Sequence, residues 1–347
     1  MSVDLRKQYI CKIPFEYMEV HHMGVYACCP AWLPTKITDM EDVANAWEHP
    51  TMKRIQQSIL DGDYEVCNER LCPVLSELVN QKTVDRGFFI TKDEFQKMDY
   101  THPKIINYSF DRSCNLSCPS CRTESIMAGG GELKRIEWIT TEIENTYGKE
   151  LKGLYISGTA DPFASKSFRK LLTNFDKNKY PNVSNIHLHT NAILFTKEMW
   201  GLMKSIQKLI HVVEVSVDAS TKDTYEIVRR GGDWDVLIEN LKFLATLPVQ
   251  EYRISMVVQD DNFMEMEDFY NLMYGIFKGK ARIFFKKVDN WGTYTSEQFF
   301  DKEIFNPDHP LFNMFLLQLA KIDKKHNCIH NFHDIVSNHL APKKSLL

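Results

Sequence analysis

The sequence predicts an α/β fold, a partial (β/α)6 TIM-like barrel with a small N-terminal cysteine-rich domain. Three observations lead to this prediction. Six short β-rich runs follow residue 104, helix-like segments separate them, and five of the nine cysteines lie within the first 72 residues. The runs begin 27 to 46 residues apart. Alternation at this spacing is typical of right-handed βαβ units, which build a parallel sheet.

Each predicted strand is a short run rich in β-branched and aromatic residues. The six runs are IINYSF (105–110), LKGLYIS (151–157), NIHLHTN (185–191), VVEVSV (212–217), YRISMVV (252–258) and ARIFFKKV (281–288). Apolar residues recur near helical spacing in the segments between them, most clearly at 131–150, 165–178 and 221–247. Ligands gather at the carboxyl ends of such strands, so we expect functional residues directly after each run.

The predicted barrel covers residues 101–300. Residues 1–100 form the cysteine-rich domain, and residues 301–347 form a helical closing segment. A net charge of -4 without a long Lys/Arg block predicts neither nucleic acid nor an anionic membrane as a partner. The charged N-terminus and the lack of an apolar run of about 18 residues argue against a signal peptide or a membrane span. We therefore expect a cytoplasmic protein.

The stretch DRSCNLSCPSC (111–121) places three cysteines, Cys114, Cys118 and Cys121, directly after the first predicted strand. Disulfides are rare in the cytoplasm, so metal or redox chemistry is the better explanation for these thiols. Iron–sulfur clusters are held by cysteine thiolates, and three of them would leave one iron of a four-iron cluster open. Zinc usually takes paired C-x-x-C units and a fourth ligand, which makes it the weaker alternative here.

The pattern C-x-x-x-C-x-x-C after the first strand of a βα repeat resembles the radical S-adenosylmethionine (radical SAM) superfamily, over roughly residues 100 to 300. The resemblance implies that Cys114, Cys118 and Cys121 hold a [4Fe-4S] cluster whose open iron binds S-adenosylmethionine. It also implies one-electron cleavage to a 5′-deoxyadenosyl radical, which abstracts hydrogen from a substrate carbon. The electron would come from a donor such as flavodoxin or ferredoxin.

The same resemblance implies a set of S-adenosylmethionine-binding residues at the ends of the later strands. These residues are Gly158, Thr159 and Asp161 at the methionine ammonium, Asn191 beside Ala192 in the place of the family's usual glycine, Ser216 and Asp218 near the ribose, Arg230 at the carboxylate with Arg229 as its alternate, and Val258 near the adenine. Three alternatives stay open. Asn191 could be structural, Asp218 could cap the next helix, and Val258 could simply pack in a buried strand.

The N-terminal cysteines resemble a SPASM or twitch auxiliary-cluster module, although such a module normally follows the barrel. The resemblance implies a second [4Fe-4S] cluster on Cys11, Cys28, Cys67 and Cys72, with Cys29 as the alternate to Cys28. A zinc site on the same four cysteines is the competing interpretation.

These features predict a radical SAM enzyme that oxidises or epimerises a small or carbohydrate-type metabolite. No leader-peptide-binding domain is visible in the first hundred residues, which favours the small substrate. The alternative is a peptide-modifying radical SAM/SPASM enzyme, which would cross-link or epimerise a ribosomal peptide or form a thioether on it. A hypothesis of another class is a non-catalytic iron–sulfur electron carrier or sensor.

Overall fold

The computed structural model describes residues 4–81 and 83–340. The strands in these residues are β1 (Tyr9–Cys11), β2 (Tyr17–His21), β3 (Gly24–Tyr26), β4 (Phe89–Thr91), β5 (Ile105–Ser109), β6 (Gly153–Ile156), β7 (Asn185–Thr190), β8 (Ile210–Ser216), β9 (Glu251–Val258), β10 (Ala281–Lys287) and β11 (Cys328–His330). Nine of them form one mostly parallel sheet, in the order β11-β10-β9-β8-β7-β6-β5-β2-β3. The predicted α/β fold class is confirmed.

The helices of the same residues alternate with the sheet strands from β5 onward. They are α1 (Ile13–Glu16), α2 (Pro50–Asp61), α3 (Pro73–Ser76), α4 (Lys92–Phe95), α5 (Gly130–Tyr147), α6 (Lys166–Thr173), α7 (Lys197–Leu202), α8 (Lys222–Val228), α9 (Trp234–Leu244), α10 (Met266–Ile276), α11 (Ser296–Lys302), α12 (Phe312–Ile322) and α13 (His333–Ile335). Short 3₁₀ or π segments occur at Leu5–Lys7, Met40–Glu48, Glu77–Gln81, Gln207–Leu209, Phe263–Glu265 and Val336–Leu340.

All six predicted strands are present, as β5 to β10, with ends within two residues of the predicted ones. Their sequences gave a clear signal because most of their side chains are buried, as in β8, where only His211 and Ser216 are partly exposed. Strands buried on both faces have near-continuous apolar sequences. The sequence did not reveal β2 and β11, which extend the sheet beyond β5 and β10.

The predicted helical segment 221–247 is divided into two helices, α8 and α9. Gly231 between them has a φ of 89°, in the left-handed region that glycine adopts at little cost. A Cβ on Gly232 would meet the ring of Tyr225. Asp233 then caps α9 by accepting hydrogen bonds from the backbone N–H groups of Asp235 and Val236. The apolar periodicity continued across this break, and for that reason it suggested one segment.

The chain divides into two compact units. Among the described residues, unit 1 comprises 4–81, 83–112, 128–160 and 165–187. In it β2 pairs in parallel with β5, β5 with β6, and β2 in antiparallel with β3. Strands β1 and β4 form a separate antiparallel pair. Helix α5 packs on the 3₁₀ segment Met40–Glu48, where the Tyr147 hydroxyl donates to the carbonyls of Val43 and Ala44.

Unit 2 comprises residues 113–127, 161–164 and 188–340. Within it β8, β9, β10 and β11 are joined in parallel. Helix α10 packs on β9, on β10 and on α12, one face of which is buried. The three-domain division into 1–100, 101–300 and 301–347 stays a prediction, although Tyr17–His21 already belongs to the nine-stranded sheet.

None of the helices in the described residues is both long enough and apolar enough to cross a membrane.

Candidate functional site

Residues 113–127 form a compact loop in unit 2 that carries the three closely spaced cysteines. The Cys114 N–H donates to the carbonyl of Ile126 (2.7 Å), which closes the loop at its base. The N–H groups of Cys121 and Arg122 both donate to the carbonyl of Cys118 (2.9 and 3.0 Å). Cys114 and Cys118 are buried, whereas Cys121 is exposed. One side of the three-cysteine group is therefore open to solvent.

Each of the three sulfur atoms lies within hydrogen-bonding distance of a different side-chain N–H donor. The distance is 3.7 Å from Asn191 Nδ2 to Cys114 Sγ, 3.7 Å from Arg229 Nη1 to Cys118 Sγ, and 3.4 Å from Arg122 Nη2 to Cys121 Sγ. Two of the donors are guanidinium groups, which carry a fixed positive charge.

Burial dominates the acid–base properties of the two inner thiols. It raises the pKa of Cys114 to about 11, although a backbone hydrogen bond from Leu116 and the charge of Arg122 oppose this rise. Burial also raises the pKa of Cys118, and the charge of Arg229 opposes it. The polypeptide alone therefore keeps both groups as thiols at neutral pH. A bound metal would have to supply the positive charge that stabilises their thiolates.

Asp161 joins three segments of unit 2. Its Oδ1 accepts the N–H groups of Phe163 (2.9 Å) and Ala164 (3.3 Å), and its Oδ2 accepts the Thr190 hydroxyl (2.7 Å) and the Asn191 N–H (2.8 Å). Its own N–H donates to the carbonyl of Ser113 (3.0 Å). The side chain is fully buried, and both oxygens already have two partners each.

Asn191, the next predicted residue, is held in a single orientation. Its Oδ1 accepts the N–H of Ile193 (3.0 Å), so its amide nitrogen faces Cys114 and also donates to Asn115 Oδ1 (3.0 Å). Ala192 has a φ of 63°, a conformation that glycine adopts more easily. This value explains physically why a glycine would suit the position.

The two neighbouring arginines have different surroundings. The Arg229 side chain is only 13% exposed and forms an ion pair with Asp218 (2.7 Å). Asp218 Oδ1 also accepts the N–H of Val257 (2.8 Å), so Asp218 joins two strand ends and does not cap a helix. Arg230 is exposed and donates to Ser117 Oγ (3.1 Å) and to the carbonyl of Thr123 (2.9 Å). Arg230 thus contacts the cysteine loop on its exposed side.

The remaining predicted cofactor residues lie at strand ends. Ser216 Oγ is 3.0 Å from His189 Nε2 and 3.3 Å from Ser255 Oγ, and Val258 is fully buried at the end of β9. Gly158 and Thr159 belong to unit 1. There the Thr159 hydroxyl donates to the carbonyl of Ser109 (2.7 Å), and a Cβ on Gly158 would stand 2.9 Å from Ser109 Oγ.

Four N-terminal cysteines line one pocket in unit 1, and they are the four predicted to act together. Cys11, Cys28, Cys67 and Cys72 share it with apolar residues such as Trp32 and Phe89, while Cys29 is not part of the lining. Burial raises the pKa of Cys67 to about 12, and the neighbouring Cys72 adds to the rise.

Among the residues that the structure describes, no three His, Cys, Asp or Glu side chains are grouped so as to share a single metal ion. This finding applies to both groups of cysteines.

The sequence interpretation missed two polar features. Arg122 was not recognised as a hydrogen-bond donor to the Cys121 sulfur, because only its position after Cys121 could have indicated this role. Glu19 was missed because β2 was missed. It is a buried carboxyl on that strand, it accepts a hydrogen bond from the Tyr17 hydroxyl (2.9 Å), and burial raises its pKa to about 6.

Comparison with known proteins gave matches over the middle of the chain. Residues 108–273 match the model of the radical SAM superfamily. The chain is 26% identical over 176 residues to the GTP 3′,8-cyclase of Petrotoga mobilis, which covers 48% of this chain and 51% of that protein. It is 23% identical over 173 residues to the mycofactocin maturase MftC of Mycobacterium tuberculosis, which covers 49% of this chain and 41% of the maturase. The chain thus spans about half the length of these curated relatives or less.

Among solved structures, SuiB of Streptococcus suis bound to S-adenosylmethionine aligns with a TM-score of 0.43 at 14% identity, covering 83% of this chain and 62% of that chain. The family match does not extend to residues 11–72, so their resemblance to an auxiliary module stays a prediction.

Proposed function

We propose that this chain, whose residues 108–273 match the radical SAM superfamily, is an enzyme that cleaves S-adenosylmethionine reductively. The resulting 5′-deoxyadenosyl radical would abstract a hydrogen atom from a substrate carbon. The observation that carries this proposal is the loop of Cys114, Cys118 and Cys121. It lies within the matched residues, with two thiols buried and the third facing solvent.

The three cysteines suit a [4Fe-4S] cluster with one open iron. Soft thiolates are the ligands that iron–sulfur clusters prefer, and the two buried thiols need a positively charged group to become thiolates. When bound, such a cluster supplies one electron and a coordination position for the co-substrate. This chain's residues would hold the cluster, orient S-adenosylmethionine and exclude water from the radical.

Two groups can be distinguished among the predicted cofactor-binding residues. Asp161 and Asp218 have their oxygens occupied by neighbouring donors, so we assign them the task of holding the loops in position. Ser216 and Val258 keep their proposed places at S-adenosylmethionine, and the roles of Gly158 and Thr159 stay predictions from the sequence. Arg230 remains our candidate for its carboxylate, since this side chain is exposed and ends beside the cysteine loop.

Cys11, Cys28, Cys67 and Cys72 are proposed to hold a second, auxiliary [4Fe-4S] cluster. Their common pocket supports this set and favours Cys28 over Cys29. Their apolar surroundings would make four thiolates unstable without a metal. A cluster of four irons separates its thiolates more widely than a single tetrahedral zinc ion does. Iron and zinc analysis of purified protein would decide between the two.

For the substrate, we propose a small or carbohydrate-type metabolite that is oxidised or epimerised. One relative is named for GTP, a small molecule that contains a sugar, and this name supports the small-substrate class. A second candidate is a ribosomal peptide, because another relative is named a mycofactocin maturase. An electron donor such as flavodoxin or ferredoxin and a cytoplasmic location belong to the same proposal.

The decisive experiment is anaerobic reconstitution with iron and sulfide, followed by dithionite and S-adenosylmethionine, with 5′-deoxyadenosine measured by mass spectrometry. Wild-type protein should form this product, whereas a variant with Cys114, Cys118 and Cys121 all changed to Ala should not. Cys328→Ala serves as the matched control, because Cys328 lies in β11 and should be dispensable. Equal product from the triple variant would refute the assignment. An iron-loaded protein that never forms the product would instead favour an electron carrier or sensor.

A further inference from the structure

The three sulfur atoms of the cysteine loop have one side-chain N–H donor each, and the donors come from different parts of unit 2. Arg122 belongs to the loop itself, Asn191 follows β7, and Arg229 follows α8. Asn191 is 77 residues from its sulfur partner, and Arg229 is 111 residues from its own. Sequence proximity therefore explains only the donor from Arg122.

Asn191 and Arg229 are fixed in place by contacts of their own. The Asn191 amide is oriented by the N–H of Ile193 and by Asn115 Oδ1. The Arg229 guanidinium is oriented by Asp218, which in turn accepts the N–H of Val257. Groups that are held rigidly by their neighbours act as preorganised dipoles and charges, which need little rearrangement when the charge beside them changes.

An N–H group that points at a thiolate sulfur stabilises negative charge there, and so does a positive charge beside it. Both therefore favour the reduced form of a cluster bound by these thiolates. Hydrogen bonds to the sulfurs and burial are among the factors that set iron–sulfur reduction potentials. Arg229 should have a large effect, because its guanidinium is only 13% exposed and faces the buried Cys118 sulfur, where solvent screens the charge weakly.

We propose that Asn191, Arg122 and Arg229 form a donor set, one donor for each thiolate, that raises the reduction potential of the cluster bound by Cys114, Cys118 and Cys121. This inference rests on the proposed function. The step that it concerns is the transfer of one electron from a low-potential one-electron donor to the cluster. No bond forms or breaks in that step, and the added negative charge lies beside the two guanidinium groups.

The test is a redox titration of reconstituted protein without S-adenosylmethionine, followed by electron paramagnetic resonance. The signal of this cluster is identified by its loss in the variant that lacks all three loop cysteines. Arg229→Met should make the cluster harder to reduce, lowering its reduction equilibrium constant on the order of tenfold. Arg229→Lys keeps the charge without the planar donor and should give a smaller shift.

Arg230→Met is the matched control. It removes the same charge at the next position, but Arg230 is exposed and donates to Ser117 Oγ and the carbonyl of Thr123, not to a sulfur. Its shift should be clearly smaller than that of Arg229→Met. Asn191→Leu tests the donor effect without any change of charge, and it should lower the potential in the same direction.

Several outcomes would overturn the inference. One is an unchanged potential in Arg229→Met at full iron content, and another is a shift of equal size in Arg230→Met. If Arg229→Met fails to retain iron, Arg229→Lys and Asn191→Leu carry the test, and unchanged potentials in both would refute the donor set. Failure of the proposed function looks different. In that case the reconstituted wild-type protein would form no 5′-deoxyadenosine from S-adenosylmethionine, whatever the potentials of the variants.

Discussion

The side chain of Asp161 offers the sharpest test of how the site is held together. We expect that Asp161→Asn destabilises the protein because the carboxylate uses both of its oxygens. Three of its four partners are backbone N–H groups, which can only donate, and the fourth is the Thr190 hydroxyl. An asparagine keeps one acceptor oxygen and turns the other position into a donor, so the Asn191 N–H loses its partner in a fully buried place.

The magnitude follows from these contacts. A buried donor left without a partner costs about 1 to 3 kcal/mol, and a hydrogen bond to a charged acceptor contributes about 1.5 to 3 kcal/mol. The Thr190 hydroxyl can rotate to accept from the new amide, which recovers part of the loss. Asp161→Asn should therefore lower the free energy of unfolding by about 2 to 4 kcal/mol. Asp161→Ala removes all four contacts, and its cost should be about 4 kcal/mol or more.

The measurement is urea unfolding of cluster-free protein, followed by tryptophan fluorescence at neutral pH. Asp235→Asn is the matched control, since it makes the same change at a carboxylate whose side chain is 77% exposed and pairs only with Lys222. That variant should stay within about 0.5 kcal/mol of wild type. If the stability of Asp161→Asn also stayed within about 0.5 kcal/mol of wild type, the carboxylate would not be needed for stability. A role at the methionine ammonium would then be the better explanation of its position.

Three further predictions concern other parts of the chain. Burial raises the pKa of Glu19 from 4.5 to about 6, so between these pH values the folded state binds more protons than the unfolded state and loses about 2 kcal/mol of stability as the pH rises. Glu19→Gln should therefore be more stable than wild type at pH 8 but not at pH 4. An equal difference in stability at both pH values would contradict this explanation. Gly24→Ala should lower the stability measured by thermal unfolding by about 1 to 3 kcal/mol, because φ is 140° and the new Cβ would lie 2.7 Å from the carbonyl oxygen of Thr38. Gly201→Ala is the control: it lies in a helix with open space around it, so it should be neutral or stabilising in the same assay. The stability of Ala192→Gly should lie within about 1 kcal/mol of wild type, because relief of backbone strain at the φ of 63° offsets the lost methyl contact. Ala192→Val should cost more than about 2 kcal/mol. Equal stabilities of the two variants would refute the backbone strain at this position.

The sequence was most informative where local pattern and burial agree. The six central strands could be predicted because their β-branched and aromatic residues are buried in a parallel sheet. The cysteine loop could be located because its three thiols lie within eight residues and directly follow one of these strands in the chain. Strand β11 has too few residues for any periodicity to be visible, whereas β2 is as long as β5 and was missed because its residues had been assigned to the cysteine-rich domain.

The sequence could not reveal which side chains surround the sulfurs. Arg229 and Arg230 are adjacent and chemically identical, yet one is inside the protein beside Asp218 and the other is exposed beside Ser117. The direction of each side chain depends on the break between α8 and α9, where Gly231 turns the chain. Interpretation by resemblance therefore selected the pair of arginines but could not assign a separate role to each member.

Backbone strain gives independent support for the place at which the site was sought. Six of the described residues that are not glycine have φ values in the left-handed region, and three of them, Ser157, Ala192 and Asp218, have values of 80°, 63° and 67°. Ser157 comes directly after β6, while Ala192 and Asp218 come within two residues of the ends of β7 and β8. Each such residue costs on the order of 1 to 2 kcal/mol, and strain of this kind persists only where the surroundings enforce it. Half of these six residues follow three successive strands at the ends where parallel α/β folds bind their ligands, which agrees with a site whose side-chain directions matter more than its local stability.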